Sequence, residues 1–188
     1  MKLRSVVIAL FAASAGLLVA TMAQDAADDR IADAMSAAPD AIARDATIVA
    51  YPDGPELQVL REGTNEWLCV ASRPETLAAG LQEPNCMDEV WQEYFEAFMA
   101  GETPTIDRIG ISYMLAGDAG AGNVDPFATG PQDDETWHVS GPHIMILMPD
   151  HDYSGVPTDH TYGGPYVMWA DTPYAHIMIP VTDYETHP

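Results

Sequence analysis

The sequence predicts an α+β domain in which an antiparallel β-sheet packs against one main amphipathic helix, with one disulfide. Two near-copies of one apolar phrase, at residues 142–146 and 175–179, are interpreted as strands with a buried apolar core and histidines at matching positions. A third apolar run, 166–169, lies between them in the chain and adds another strand. Apolar side chains at three- and four-residue spacing between 88 and 99 predict the helix.

Residues 1–23 have the pattern of a secretory signal peptide. Lys2 and Arg4 give a positive start, an uncharged apolar run follows, and small residues precede a cut at Gln24. An uncleaved membrane anchor is the alternative, but a spanning helix needs about 20 apolar residues, and this run is shorter. No later segment is apolar for long enough to span a bilayer. We therefore expect a periplasmic or secreted protein.

The chain after the leader has the length of one domain with a substantial core. We expect an N-terminal helical segment at 24–45 and a single α+β domain at 46–188. Ile31 and Met35 lie one helical turn apart among alanines, which indicates a weak apolar stripe on that first segment. A disordered spacer after the cut is the alternative.

The chain is strongly acidic, with 7 Lys and Arg against 29 Asp and Glu and a formal net charge of −22. Lys2 is the only lysine, so none remains after removal of the leader. Such a surface repels phosphate backbones and anionic lipid headgroups, so nucleic acid is not an expected partner. The acidity favours solubility, or alternatively an attraction for cations.

Cys69 and Cys86 are the only cysteines, an even number in a chain with a secretory leader. A redox or metal pair would usually lie closer together, as in Cys-x-x-Cys. We therefore predict a structural disulfide between them, which would stabilise the fold by roughly 3 kcal/mol by restricting the unfolded chain.

Short strands and turns lead from the N-terminal segment to Cys86. Alternating or β-branched residues at 47–51, 56–62 and 66–72 predict a small meander. Residues 74–84 are interpreted as a loop that returns the chain to Cys86.

The strongest helix signal comes next. Asp88 is a favourable N-cap, and Gly101 is a favourable C-terminal stop. Burial of the apolar stripe would contribute about 1.5–3 kcal/mol for each large side chain, so core packing is favoured over a cofactor-binding stripe. The stripe consists of Val90, Trp91, Tyr94, Phe95, Phe98 and Met99.

The C-terminal half contains another strand and two long polar loops. Alternation predicts the strand at 106–115. The loops, 116–136 and 149–165, are rich in glycine and aspartate. Loops of this length are uncommon inside a compact domain and are often functional, so we expect polar groups to gather at one rim of the sheet.

Side chains of the twin phrases form the first candidate site. Residues two apart on a strand share a face, so His143 and Met145 point one way, and His176 and Met178 share a face of their own strand. If the strands are neighbours in matching register, these imidazoles and thioethers would form a soft donor set suited to copper. The alternative is a core in which the methionines fill gaps and the histidines are hydrogen-bonded.

The second of these loops, 149–165, is called the late loop. It offers a second candidate site, in which carboxylates and imidazoles hold zinc or a similar cation. A strict signature such as His-Glu-x-x-His is absent, and solvated loop charges are the ordinary alternative. The side chains concerned are Asp150, His151, Asp152, Asp159 and His160.

A third candidate is calcium bound by oxygens of Asp118, Asn123 and Asp125, whose spacing departs from that of an EF-hand loop. The cofactor is therefore unknown, with a divalent cation and copper as the candidates.

The usual catalytic motifs are missing from the sequence. There is no Gly-x-Ser-x-Gly, no phosphate-binding glycine loop with lysine, and no dinucleotide fingerprint. The favoured function is non-catalytic binding of a small ligand, a cation or a protein partner through the loop-bearing rim. One alternative is a metal-assisted hydrolase that uses His143, His176 and loop carboxylates. Another is a structural envelope protein, which predicts no pocket.

Six short phrases form a distinctive combination. They are Leu-Arg-Glu-Gly-Thr-Asn at 60–65 with Trp67 and Cys69, Cys-Met-Asp at 86–88, Tyr-Met-Leu at 113–115, Asp-Pro-Phe-Ala-Thr at 125–129, Gly-Pro-His at 141–143 and Pro-Tyr-Ala-His at 173–176. The combination resembles a family of uncharacterised small exported bacterial proteins and covers most of the chain after the leader. The resemblance implies one exported domain, and it implies no activity, ligand or catalytic residue.

Overall fold

The computed structural model describes residues 26–51 and 57–181, so the predicted signal peptide at 1–23 lies outside the described residues. One mixed β-sheet dominates this part of the chain. Its strands are β1 (Thr47–Ala50), β2 (Gln58–Arg61), β3 (Leu68–Val70), β4 (Asn85–Met87), β5 (Gly110–Met114), β6 (His143–Leu147), β7 (Tyr166–Met168) and β8 (His176–Pro180).

Helices precede, interrupt and follow the first strands. The described α-helices are α1 (26–35), α2 (Asp40–Ala43), α3 (Pro74–Ala78) and α4 (Glu89–Ala100). Two short 3-10 turns, Pro149–His151 and His160–Tyr162, lie in the late loop.

The strands follow the order β2-β1-β3-β4-β5-β6-β8-β7. Every neighbouring pair is antiparallel except β1 and β3, which run parallel. β2 folds back along one edge of β1, and the chain then crosses to the other edge of β1, where β3 runs in the direction of β1. The prediction of a purely antiparallel sheet is therefore wrong at this one pair, and the chain is an α+β domain with a mostly antiparallel sheet.

Apolar groups are buried on both faces of the sheet. On one face, alanines of α1 and α2 cluster with Ile48 and the two cysteines. On the other face, α4 buries Val90, Trp91 and Tyr94 in a larger core. The expectation of one main amphipathic helix is not confirmed, because α1 and α2 also belong to a core cluster.

Both ends of α4 have the caps that the sequence predicts. The Oδ1 atom of Asp88 accepts from the backbone N–H of Trp91 at 2.9 Å, and its Oδ2 atom accepts from the N–H of Ile111 on β5 at 2.6 Å. Gly101 ends the helix in the left-handed region at φ 69°, which glycine adopts without a Cβ clash. One carboxylate therefore both starts the helix and ties it to the sheet.

The predicted disulfide is present. Cys69 of β3 and Cys86 of β4 are direct cross-strand partners, with Cα atoms 4.0 Å apart. Cys86 lies on a strand that the sequence reading did not identify, and part of the preceding 74–84 segment, predicted as a loop, forms α3. The bridge therefore joins two central strands.

The twin phrases form adjoining strands, β6 and β8. Their antiparallel pairing places Met145 opposite Met178 and His143 opposite Pro180. The two histidines therefore lie toward opposite ends of the strand pair instead of side by side, although both point to the same face of the sheet. β7 pairs with the outer edge of β8.

The late loop lies along the outer strand β7. The backbone N–H of Val167 on this edge strand donates to the carbonyl of Pro157 in the loop, at 2.8 Å. Within 26–51 and 57–181, none of the helices has the length and hydropathy that crossing a membrane requires.

Candidate ligand-binding cavity

A cavity of about 850 Å³ lies between the sheet and α4. Its floor is formed by side chains of the central and late strands, and α4 covers it with an aromatic wall. Residues 118–121 at the start of the long loop line one side. The volume falls within the range of roughly 300–1,000 Å³ that is typical of small-molecule sites.

Methionines and aromatic rings dominate the lining of this cavity. Thioether side chains are flexible and polarisable, and they adapt to ligands of different shape. The methionines that line the cavity are Met87, Met99, Met114, Met145, Met168 and Met178. The aromatic lining consists of Tyr51, Trp91, Tyr94, Phe95, Phe98 and Trp169.

Two buried histidines are among the residues that line the cavity. The Nδ1 atoms of His143 and His176 lie 2.7 Å from the carbonyl of Gly141 and 3.1 Å from that of Tyr174. A carbonyl oxygen only accepts, so each Nδ1 carries a proton and donates it to the carbonyl. Within the described residues neither Nε2 atom has a hydrogen-bond partner, and each side chain is only 2% exposed.

Aromatic rings surround the imidazole of His176. The ring centroids of Trp91 and Trp169 lie 5.4 Å and 4.9 Å from that of His176, both in edge-on arrangements. Burial lowers the pKa of His176 to about 4, although the hydrogen bond to Tyr174 opposes this shift. His176 is therefore a neutral hydrogen-bond acceptor at neutral pH.

Trp91 adds a buried donor to the same cavity. Its Nε1–H has no hydrogen-bond partner within the described part of the chain, and the side chain is 3% exposed. A buried polar group without a partner costs about 1–3 kcal/mol, so a ligand that satisfies such groups gains that free energy on binding. The cavity lining thus includes two histidines and Trp91 on an apolar background.

Trp169 has an unusual backbone conformation at the edge of the cavity. Its φ is 54°, in the left-handed region that large side chains rarely adopt. The indole Nε1–H donates to the carbonyl of Gly122 at 2.8 Å, and its backbone N–H donates to the carbonyl of Asn123 at 2.9 Å. Residues in this conformation concentrate at ligand sites, and here the two hydrogen bonds position the indole beside His176.

A stack of three aromatic rings forms one rim. Phe98 of α4 lies between Phe127 and Trp169, with centroid distances of 5.3 Å and 5.5 Å and nearly parallel planes. Phe127 belongs to the long loop and is 55% exposed. The loop is therefore attached to the cavity rim by ring stacking.

Part of the cavity lining is polar and includes Arg73 and Glu83. Arg73 forms a bidentate ion pair with Glu83, at 2.6 Å and 2.9 Å, and the hydroxyl of Thr76 donates to the same carboxylate at 2.7 Å. Burial alone would raise the pKa of Glu83, but these hydrogen bonds lower it. The carboxylate is charged at neutral pH and its charge is compensated locally.

The acids that suggested calcium serve the loop itself. Asp118 accepts from the backbone N–H of Gly120 and Ser140, at 2.9 Å and 2.8 Å. Asp125 accepts from the N–H of Phe127 at 2.9 Å. The amide nitrogen of Asn123 donates to the carbonyl of Thr136 at 2.8 Å. These contacts shape the loop backbone.

The predicted zinc residues of the late loop also have local contacts. Asp152 and Asp159 accept from backbone N–H groups two residues ahead, at 3.1 Å and 2.9 Å. The rings of His160 and His138 stack at 4.6 Å, while His151 lies near Tyr153. In the described part of the chain, no group of three or more His, Cys, Asp or Glu side chains is arranged to hold a metal ion.

All four side chains of the predicted copper set line the cavity, namely His143, Met145, His176 and Met178. Sequence reasoning missed Met114 and Met168, which lie directly opposite the two histidines on neighbouring strands. Strand alternation could have placed both methionines on a face, but it gives no register between distant strands.

No family model, curated protein or solved structure matches this chain.

Proposed function

We propose that this protein is a non-catalytic, exported binding protein for a small and largely apolar molecule. The observation that carries the proposal is the cavity of about 850 Å³, which is lined by methionines, aromatic rings and two buried histidines. A ligand with an apolar body would contact the methionines and aromatic rings. A hydrogen-bond donor on the ligand would satisfy the Nε2 atom of His143 or His176, and an acceptor would satisfy Trp91.

Other features favour binding over catalysis. The two histidines lie toward opposite ends of the β6–β8 pair. The loop carboxylates of Asp118, Asp125 and Asp152 accept hydrogen bonds from backbone N–H groups two residues ahead. A metal-assisted hydrolase would need carboxylates and imidazoles converging on one reacting atom, and no observation favours that alternative. We further propose that α4 is the principal helix of the domain, because it forms the aromatic wall of the cavity.

Export is part of the same proposal. The leader-like residues 1–23 and the disulfide fit a chain that matures in an oxidising compartment. Mass analysis of the protein from its native cells tests this, because an intact leader on the abundant form would contradict it.

A fluorescent probe tests the cavity. N-phenyl-1-naphthylamine is neutral, apolar and carries one N–H donor, and it fluoresces strongly only in apolar surroundings. We expect a saturable rise in fluorescence when the purified protein is titrated. Ala119→Trp introduces an indole into the cavity wall and should weaken binding by about tenfold, which corresponds to about 1.4 kcal/mol.

Ala79→Trp is the matched control, because Ala79 is exposed at the end of α3 and does not line the cavity. It should bind the probe as the wild type does. Absence of saturable binding to the wild type would remove the proposed function. Equal weakening by the two substitutions would show that the probe binds elsewhere.

A further inference from the structure

The register of the late strands arranges imidazoles and thioethers in a repeated pattern. His143 on β6 lies opposite Met114 on β5, and Met145 follows two residues later on the same face. The β-carbons of directly opposed residues lie about 4.5–5.5 Å apart. His143, Met114 and Met145 therefore lie on one face of neighbouring strands, and all three line the cavity.

The same pattern recurs around the second histidine. His176 on β8 lies opposite Met168 on β7, and Met178 follows two residues later. His176, Met168 and Met178 are 2%, 3% and 2% exposed, and all three line the cavity. We name these two groups the His143 half-site and the His176 half-site.

A local pseudo-twofold axis relates the two half-sites. It passes between Met145 and Met178, which oppose each other across β6 and β8. Rotation about this axis exchanges β6 with β8 and β5 with β7, so Met114 corresponds to Met168. The repeated His-Ile-Met-Ile phrase thus becomes two equivalent donor sets in three dimensions.

The donor chemistry selects a soft cation without a large charge. Each half-site provides an imidazole Nε2 and two uncharged thioethers, and no carboxylate is among them. Such ligands suit Cu(I), whereas hard divalent cations prefer oxygen. Hydrogen bonding of Nδ1 to a backbone carbonyl fixes the tautomer and the ring orientation, as is usual for metal-bound histidines.

We propose that the His143 half-site and the His176 half-site each bind one Cu(I) ion. In each half-site the Nε2 atom and the two methionine sulfurs are the ligands. This proposal goes beyond organic-ligand binding and does not depend on it. The role of the sulfur atoms can be isolated experimentally, because leucine keeps the apolar volume of methionine but lacks its sulfur.

The test is a competition titration under anaerobic conditions. The purified protein is titrated into the Cu(I) complex of bicinchoninate, with ascorbate as the reductant so that the disulfide is kept. We expect transfer of two equivalents of Cu(I) to the wild type. Met168→Leu with Met178→Leu should leave one equivalent, and Met114→Leu with Met145→Leu should also leave one.

The quadruple Met→Leu variant should take up no Cu(I) and should keep a cooperative urea-unfolding transition, which shows that the fold persists. Met148→Leu is the control, because Met148 does not line the cavity, and it should retain two equivalents. The proposal is overturned by no transfer to the wild type, by a stoichiometry of one, or by undiminished uptake in the quadruple variant. If the wild type takes up Cu(I) but does not bind N-phenyl-1-naphthylamine, the result contradicts the proposed function alone.

Discussion

The imidazole of His176 is kept neutral by its surroundings. The side chain is 2% exposed, and Trp91, Tyr94 and Trp169 contact it edge-on. Burial lowers its pKa to about 4, well below its ordinary value of about 6.5. In mild acid, His176 is therefore protonated in the unfolded chain and unprotonated in the folded protein.

This difference predicts a loss of stability in mild acid for the metal-free protein. Between about pH 6.5 and pH 4 the unfolded chain binds a proton at His176 and the folded chain does not, so the free energy of unfolding falls as the pH is lowered. The loss from this one group reaches about 3 kcal/mol. Urea unfolding from pH 7.5 to pH 4.5 in the presence of a chelator measures it.

His176→Phe should flatten this pH dependence, because phenylalanine keeps an aromatic ring and does not titrate. Some dependence should remain, since burial and the nearby charge of His160 also lower the pKa of His138. Met178→Leu changes the same part of the core without removing the imidazole and should keep the wild-type slope. Equal slopes for His176→Phe and the wild type would contradict the assignment.

At the residue scale, alternation in the sequence predicts which side chains share a face of one strand, but it does not predict the register between strands. It placed His143 and Met145 on one face and His176 and Met178 on one face, and all four line the cavity. It could not pair Met114 with His143, because their separation in the chain leaves the register open. That register depends on how a long loop folds.

The N-cap of α4 is the element-scale contact with the largest expected effect. Asp88 accepts from Trp91 within the helix and from Ile111 on β5. Asp88→Ala removes both acceptors and should lower the free energy of unfolding by about 2–3 kcal/mol, since a lost cap and an unpaired backbone N–H each cost about 1 kcal/mol or more. Urea unfolding measures the change.

Glu89→Ala is the neighbouring control. Glu89 forms an exposed ion pair with Arg108 at 2.9 Å, and exposed pairs of this kind contribute little. The control should leave stability nearly unchanged. A similar loss in both variants would mean that charge near the helix start matters more than the cap.

The limits of α4 were predictable because the caps and the spacing of apolar residues agree in one short window. β4 was not, because Asn85–Met87 is too short for an alternating pattern. The parallel pairing of β1 and β3 was also missed. It results from a crossing of the chain to the far edge of β1, and local sequence carries no signal for that choice.

At the scale of the whole molecule, the disulfide joins the centre of the sheet. Cys69 and Cys86 lie on β3 and β4, which have neighbouring strands on both sides. The bridge closes a loop with a sequence separation of 17. Closing such a loop restricts the unfolded chain and leaves the folded chain nearly unaffected.

Replacement of both cysteines by alanine should therefore lower the free energy of unfolding by about 3 kcal/mol. The folded variant should keep the pairing of β3 with β4 and the cavity. Denaturant unfolding of the oxidised wild type and the double variant measures the difference. Dithiothreitol should destabilise the wild type to a similar degree and should leave the double variant unchanged. An effect of dithiothreitol on the double variant would point to a cause other than the bridge.

The contact between the late loop and β7 affects how the protein behaves at high concentration. An outermost strand normally presents unpaired amides that another chain can extend into a fibril. Here Val167 already donates to Pro157, and β7 spans only Tyr166–Met168. The late loop, a candidate cation site in the sequence, thus pairs with the outer N–H of Val167 and opposes the addition of another strand at that edge of the sheet.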